Sequence, residues 1–590
     1  MYGFATRDRE WELPVEGQVL GYLDLDEEQQ EGEFRLQLPA QPEGTPVQIG
    51  DGGEVQVFAL AYSPNLTGGP FSVGDDRSRG WPSYLASTVN DPENEDEVTG
   101  GKLIVWAPDD AQQFPTGFGD DGKLFTDDDP LGAIPAGYSV IDLDQQPFEI
   151  IREAEAELTL YEPTDAQLKD YSDLSYTEAF DQLVERVRRE YAFNGIEGKQ
   201  PDYDALYAEL QPRIAEAERS DDAEAFYQAL RDFAFAFNDG HVGINGGELD
   251  ARLFGAQIAG GYGFAIRKLG DGRVIVTYVL DGGPAAEAGI EVGAQITQFN
   301  DQPIDQAISA VEPLTGPFST DFGREYDQLR FLLRAPVGTE ATVTFQNPNG
   351  SAQTATLEAV QERESFAASS LFRDFDPLAL PVEYDILPSG LGYVRVNSNY
   401  DDLNLLVRLF ERALQTFEDN QLPGVIIDMR RNTGGANLGL AGFLTDQEIE
   451  MGQLEYYSDA TGLFEPEGAP ERIYPNESQY RFDKLALLVD QSCYSACELE
   501  SYGFSQVPGM IVVGQYPTAG VEAEVARGQF RLPEGISLQI PTGRFVTPDG
   551  EIFLEGEGVE PTVRVPIDEE TVLSEEDVVL QTAVEELLGQ

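Results

Sequence analysis

Hydrophobic positions along the chain change their spacing from region to region. Up to residue 160 they alternate in short runs cut by Gly, Pro and Asp, as in Glu54-Val-Gln-Val-Phe-Ala-Leu-Ala-Tyr62 and Lys102-Leu-Ile-Val-Trp106. Such alternation predicts half-buried antiparallel strands, and residues 1–160 are expected to form a β-sandwich. From 163 to 250 the spacing lengthens to three and four residues. Ala179-Phe180, Leu183-Val184, Val187 and Tyr191 follow it, then Tyr203, Leu206-Tyr207 and Leu210, then Phe226-Tyr227, Leu230 and Phe233-Ala234. This predicts four amphipathic helices between 163 and 238, the first capped by Thr164 with Gln167 closing a capping box. The segment ends in Phe237-Asn-Asp-Gly-His-Val-Gly243, where Asp and Gly break a helix.

Residues 255–361 return to strands: Arg273-Val-Ile-Val-Thr-Tyr-Val-Leu280, Val292-Gly-Ala-Gln-Ile-Thr-Gln-Phe-Asn300, Ala341-Thr-Val-Thr-Phe345 and Thr354-Ala-Thr-Leu357. A compact β-rich module is expected. Over 365–590 strand and helix alternate. Gly424-Val-Ile-Ile-Asp428 and Lys484-Leu-Ala-Leu-Leu-Val489 are continuous apolar runs, as buried parallel strands are, and helices are expected at Asp401–Thr416 and from Gly439 to Phe443. That is an α/β domain. A chain of 590 residues, at roughly 100–200 per domain, carries several such units.

Charge narrows the partners. Thirty-seven Lys and Arg against 107 Asp and Glu leave a formal −70. Nucleic acid and anionic membranes need clustered cations and are disfavoured. No apolar run reaches the roughly 18 residues of a membrane span. The N-terminus, with Arg7, Asp8, Arg9 and Glu10, lacks the apolar core of a signal peptide. The excess acid suits a salty or extracytoplasmic setting, and the expectation is a secreted or envelope protein whose leader is absent from this sequence. Two cysteines, Cys493 and Cys497, exclude a framework of several disulfides; they read as buried packing residues or as a thiol pair flanking a turn. One histidine, His241, excludes a multi-histidine metal site, and no metal or cofactor is expected there. The acidic loop Gly119–Asp129, with carboxylates at 120, 121 and 127–129, is a candidate calcium site without helix-loop-helix spacing; the alternative is a solvated turn.

Candidate chemistry begins at Leu487-Leu-Val-Asp-Gln-Ser-Cys-Tyr-Ser-Ala-Cys-Glu498. A buried strand ends, a turn follows, and a helix opens at Ser495. A hydroxyl there lies at the positive end of a helix dipole, with the Ala496 N–H aimed at an attacked carbonyl. The plainer reading is a helix cap. After the other apolar strand, Asn432-Thr-Gly-Gly435 lets backbone approach closely, so Gly434 or Gly435 is a candidate second oxyanion donor. His241 is the natural base for Ser495, and it lies in a turn, where catalytic groups concentrate.

In this order the segments resemble the carboxyl-terminal processing and tricorn-core serine peptidases, with retinoid-binding-protein-like members close by. The resemblance covers about residues 165–566. It runs through Asp239-Gly-His241, a PDZ module, Asn432-Thr-Gly-Gly435, Ser495-Ala-Cys-Glu498 and Gly558-Val-Glu-Pro561. It implies a crotonase-like (spiral) α/β peptidase domain and hydrolysis of protein or peptide substrates through an acyl-enzyme. The processing branch uses a Ser–Lys dyad, but Gly514-Gln-Tyr-Pro-Thr-Ala-Gly-Val521 puts Val521 where that Lys would stand. The tricorn-core branch uses Ser, His and Glu, which places the Glu at Glu555, with Glu557 the alternative. That branch has a second Ser directly before the His; here the position is Gly240, leaving the fourth member missing or supplied elsewhere.

Gly261-Tyr262-Gly263-Phe264 resembles the PDZ loop whose amides hold a peptide's carboxyl terminus, and Gly283-Pro-Ala-Ala-Glu-Ala-Gly289 resembles the turn that follows. Two other functions are open on the same residues. One is a non-catalytic peptide- or ligand-binding envelope protein that keeps the fold. The other is a calcium-dependent adhesive or envelope scaffold with the N-terminal region as its main actor.

Overall fold

The computed structural model describes residues 4–7, 21–25, 31–36, 47–48, 54–62, 85–91, 94–126, 128–153, 157–161, 169–373, 376, 379–400, 403–459, 461–467, 470–525 and 527–589. The chain divides into two compact units. One comprises residues 1–169, 454–469 and 526–529, and the other 170–453, 470–525 and 530–590.

In the first unit the expected strands are present and antiparallel. They join one eleven-stranded sheet with a separate two-stranded ribbon, rather than two independently paired sheets. Glu54–Tyr62 and Asn94–Ala107 pair at its centre. Their alternation puts Val55, Val57, Leu103 and Val105 into a core with Ile141, Phe114 and Phe148. The acidic loop turns its carboxylates on itself. Asp128 accepts from the amides of Asp120 and Asp121, and Asp129 from those of Gly119 and Thr126. Asp127 lies outside the described residues, and among those described no three carboxylates of this loop converge on one point. The calcium expectation therefore has no support in the loop's geometry.

The second unit opens with α1 (Tyr176–Glu190), α2 (Tyr203–Ser220) and α3 (Ala223–Ala234). Thr164 and Gln167 lie outside the described residues, and α1 begins later, at a capping box of Ser175 and Glu178. Between residues 169 and 238 there are three helices, not four; the fourth, α4 (Glu248–Phe254), follows His241. Their apolar faces bury Phe180, Leu183, Phe226 and Phe233. The wall that completes this core comes from far along the chain. A hairpin of Gln529–Leu532 and Ile536–Gln539 contributes Phe530, Leu532, Ile536 and Leu538. Strand β1 (Gly243–Asn245) pairs with Ile536–Gln539, and Gln539 Nε2 donates to the His241 carbonyl at 2.8 Å. The turn bearing His241 is thus fixed from both sides.

The β-rich module is an antiparallel sheet of β2 (Phe264–Lys268), β3 (Val274–Val279), β4 (Gln295–Phe299), β5 (Glu340–Gln346) and β6 (Ala352–Glu358). Helix α5 (Asp321–Phe331) packs beside β2, where Lys268 pairs with Glu325 at 2.6 Å.

The α/β domain is a six-stranded sheet of β7 (Val382–Ile386), β8 (Gly392–Val396), β9 (Gly424–Asp428), β10 (Lys484–Leu488), β11 (Met510–Gly514) and β12 (Val563–Arg564), in that spatial order. Only the first pair is antiparallel. β9 is buried at every position, as its continuous apolar run predicts. Helix α6 (Leu403–Asp419) buries Leu406, Phe410, Ala413, Leu414 and Phe417 along one stripe. The helix expected from Gly439 is a 3₁₀ turn, Leu440–Phe443. Helices α7 (Ala496–Ser505) and α8 (Val578–Gly589) pack against β10 and β11. At the end of β9, burial alone would raise Asp428, but Arg430 at 2.7 Å and a 2.6 Å bond from Tyr393 hold it down to about 2. Arg430 also bonds Asp577, so this buried carboxylate fastens β9 to the start of α8. Among the described residues no helix is long and apolar enough to cross a membrane.

Candidate active site

Ser495 stands between β10 and α7, half-buried, with φ +59° and ψ −137°. A non-glycine residue at positive φ is strained and persists only where its surroundings hold it. Ser495 N–H donates to the Val521 carbonyl at 2.9 Å. Its own carbonyl accepts from Glu498 N at 2.7 Å. Glu498 in turn accepts from the amides of Gly520 at 2.6 Å and Val521 at 3.2 Å, so the helix and the neighbouring segment are locked together. Cys493 and Cys497, read as packing residues or a thiol pair, are joined in a disulfide that brackets the turn. Among the described residues Ser495 Oγ makes no hydrogen bond.

The glycine loop presses directly on this turn. A Cβ on Gly434 would lie 2.8 Å from Ser495 Cβ and 3.1 Å from Ala496 N. Gly434 has φ +86° and Gly435 φ +132°, which favour glycine. The two differ as oxyanion candidates. Gly434 N–H is spent on Asn432 Oδ1 at 2.9 Å, which removes it as a donor. Gly435 bridges to Asn399, and buried Asn432 ties the loop to Val396 and Asn399.

The turn that carries His241 packs against the same segment: a Cβ on Gly240 would meet Val521 Cγ2 at 2.7 Å. Val521, standing where the processing branch has its Lys, therefore lies between the two loops: its side chain crowds Gly240 and its carbonyl holds Ser495 N. His241 is buried, and neither ring nitrogen has a partner. Burial without a partner depresses the imidazole to about 4, well below the ordinary histidine range.

Two carboxylates face the ring. One ligand atom each from Asp239, His241 and Glu555 lie within 4.8 Å of one another. Glu555 is buried and Glu557 is exposed. One Glu555 oxygen takes a hydrogen bond from Lys199 Nζ, and the other accepts from Glu522 N at 2.8 Å. Burial, helped by Asp239, pushes Glu555 up to about 7 despite Lys199, and burial pushes Asp239 up to about 6. Burial also drives Glu498 and Glu522 well above the carboxylate range. Among the described residues the site is a cluster of buried carboxylates, with Lys199 bonded to Glu555 at its edge. Sequence reasoning missed Lys199, Glu522 and Ser319, whose Oγ accepts from Gly240 N at 2.8 Å. Lys199 and Ser319 lie far along the chain from every motif and leave no local signal, whereas Glu522 directly follows the Gly514–Val521 stretch.

In the β-rich module Tyr262 and Phe264 are core residues. The carbonyls of Tyr262 and Gly263 accept from Ala285 and Leu280. The pocket beside this loop is lined by Leu280, Asp281, Pro284, Glu287, Val360 and Glu364, so a peptide end there meets acidic neighbours.

Residues 390–565 match the model of peptidase family S41, and residues 275–318 that of a PDZ domain. The chain carries an S41 peptidase domain and a PDZ domain. The chain is similar to the chloroplastic carboxyl-terminal-processing peptidase 3 of Arabidopsis thaliana, 24% identical over 254 residues, 41% of this chain and 42% of that protein. The carboxy-terminal processing protease CtpB of Bacillus subtilis (strain 168) is 18% identical over 297 residues, 50% of this chain and 53% of that protein. The chain thus spans about half the length of the curated relatives it matches. Among solved structures, mature CPAF is similar with a TM-score of 0.49 and 15% identity, over 68% of this chain and 94% of that one. The tricorn protease is similar with a TM-score of 0.34 and 14% identity, over 97% of this chain and 61% of that one.

Proposed function

We propose that this chain is a serine peptidase that hydrolyses peptide bonds through an acyl-enzyme on Ser495. The observation that carries the reading is the strained positive φ of Ser495 at the mouth of α7, braced by Gly434 and by the Val521 carbonyl. His241 takes the proton from Ser495 Oγ as the hydroxyl attacks the substrate carbonyl, then passes it to the leaving amine. Charged Glu555 holds the imidazolium that forms meanwhile. The N–H groups of Ala496 and Gly435 receive the oxyanion at the helix N-terminus. Water, activated by the same histidine, releases the acyl group.

The Gly261–Phe264 loop of the PDZ domain assists in substrate recognition or gating. The acidic pocket beside it favours basic or neutral peptides over acidic ones. The Cys493–Cys497 disulfide supports an oxidising, extracytoplasmic setting.

A fluorophosphonate probe tests the assignment. Wild-type protein becomes labelled and cleaves unstructured peptides, whereas Ser495→Ala and His241→Gln do neither while melting at the wild-type temperature. Undiminished hydrolysis by Ser495→Ala refutes it; an unlabelled, inert wild type favours the fold-retaining binding protein.

A further inference from the structure

We infer that Ser319, from the segment leading into the PDZ helix α5, is a positioning residue for His241 and Glu555, so that the PDZ domain builds part of the catalytic site. The inference rests on the peptidase reading above. Ser319 Oγ accepts the Gly240 N–H at 2.8 Å, one residue before the base. The same hydroxyl faces the Glu555 carboxyl and favours its charged form. A hydroxyl has one donor and two acceptor positions, so it can take the amide proton and give its own to the carboxylate. The turn that carries the imidazole and the carboxylate that orients it are thereby clamped through one oxygen atom. Gly240 cannot supply that group itself. A Cβ there would lie 2.7 Å from Val521 Cγ2, and it would point to within 3.5 Å of the oxygen Ser319 provides.

Two further contacts from the same stretch reinforce the clamp. Thr320 caps α5 by accepting from Gly323 N, and its hydroxyl donates to the Ala519 carbonyl at 3.2 Å. That carbonyl opens the Ala519–Val521 segment whose last oxygen holds Ser495 N. Arg324, in the first turn of α5, donates to Asn238 Oδ1 at 3.0 Å. One helix start thus grips the histidine turn at residues 238 and 240 and the nucleophile's supporting segment at 519. Further along α5, Leu329 is buried in the core of the β-rich module.

Misplacing a catalytic group by about 1 Å costs on the order of 10²-fold in rate. Ser319→Ala is therefore expected to lower kcat by roughly 10- to 100-fold with KM little changed. Losing a hydrogen bond that favours charged Glu555 also moves the acidic limb of the kcat/KM profile to higher pH. Ser319→Thr, which keeps the hydroxyl, restores most of kcat and the original limb. The experiment measures kcat, KM, pH profile and melting temperature for wild type, both Ser319 variants and Ser495→Ala, with fluorophosphonate labelling in parallel. If wild type is not labelled, or Ser495→Ala still cleaves, the peptidase reading fails. If wild type is labelled through Ser495, and Ser319→Ala keeps wild-type kcat and limb, the positioning role is overturned. Equal losses in the Ala and Thr variants with an unmoved limb also overturn it, since that pattern belongs to packing. If Ser319→Ala does not fold, the Thr variant decides: recovered kcat with the original limb supports the clamp, and a lost kcat refutes it.

Discussion

Lys199→Met should move the acidic limb of the pH–rate profile upward without removing the alkaline plateau. Lys199 Nζ hydrogen-bonds Glu555 directly, donates to the Asn238 carbonyl at 2.9 Å, and is itself largely buried. Catalysis needs Glu555 charged, because only the carboxylate stabilises the imidazolium of the transition state. His241, depressed to about 4, is already neutral across the working range and cannot own a limb near neutrality. Glu555, pushed up to about 7, can, with Asp239 at about 6 sharing its protons. Two unit charges about 4 Å apart are worth about 4 kcal/mol at an effective dielectric of ~20, or roughly three pH units at 1.36 kcal/mol each. Partial access of Lys199 to water and the surviving bond from Glu522 N reduce the expected move to roughly one to two pH units. Because Glu555 is already half protonated near pH 7, activity there then falls about 5- to 50-fold and recovers as the buffer is taken toward pH 9.5. Lys199→Arg, which keeps the charge, should retain most of the wild-type limb. The assay is kcat/KM for a fluorogenic peptide at half-unit pH steps, with melting temperature as a control. An unmoved limb in a folded Lys199→Met protein refutes the assignment of the limb to Glu555.

Two other outcomes follow from the same geometry. Glu555, Glu522, Glu498 and Asp239 all have folded-state values raised by burial, so their contribution to stability is fully present below the unfolded carboxylate range and is lost as pH rises through the raised values. The second unit should therefore melt several degrees higher at pH 5.5 than at pH 8 in constant high salt, with Glu522→Gln flattening the dependence; a melting temperature that falls on acidification contradicts this. Gly434→Ala should abolish fluorophosphonate labelling and cost roughly 1–3 kcal/mol, because its Cβ would sit 2.8 Å from both Ser495 Cβ and the Tyr494 carbonyl at φ +86°; unimpaired labelling would show that the glycine loop does not brace the nucleophile.

The parts of the molecule that were legible in the sequence are those whose signal is local. Continuous apolar runs marked β9 and β10, and three-to-four spacing marked α1, α2 and α3. Two segments can satisfy one capping pattern, and Thr164 with Gln167 obscured Ser175 with Glu178, which lies directly before the first buried aromatic. The missing wall of the helical core was unreadable for another reason. Gln529-Phe-Arg-Leu532 alternates like any strand, and nothing in it names a helical partner more than 300 residues earlier. The same distance hid Lys199 and Ser319. His241 was identified as a base from its chemistry, but its depressed value depends on burial, which no single turn of sequence encodes.

The hairpin at Gln529–Gln539 has a consequence for biosynthesis. Chains emerge from the ribosome N-terminus first, and contacts between distant residues are slow to form. His241 is made in the first half of the chain, but the strand that anchors its turn comes almost 300 residues later, and Glu555 later still. A nascent chain that has already exposed histidine and even Ser495 cannot yet bring base, nucleophile and carboxylate together. On the proposed peptidase reading, proteolytic competence would therefore be withheld until nearly the whole domain has been synthesised and folded.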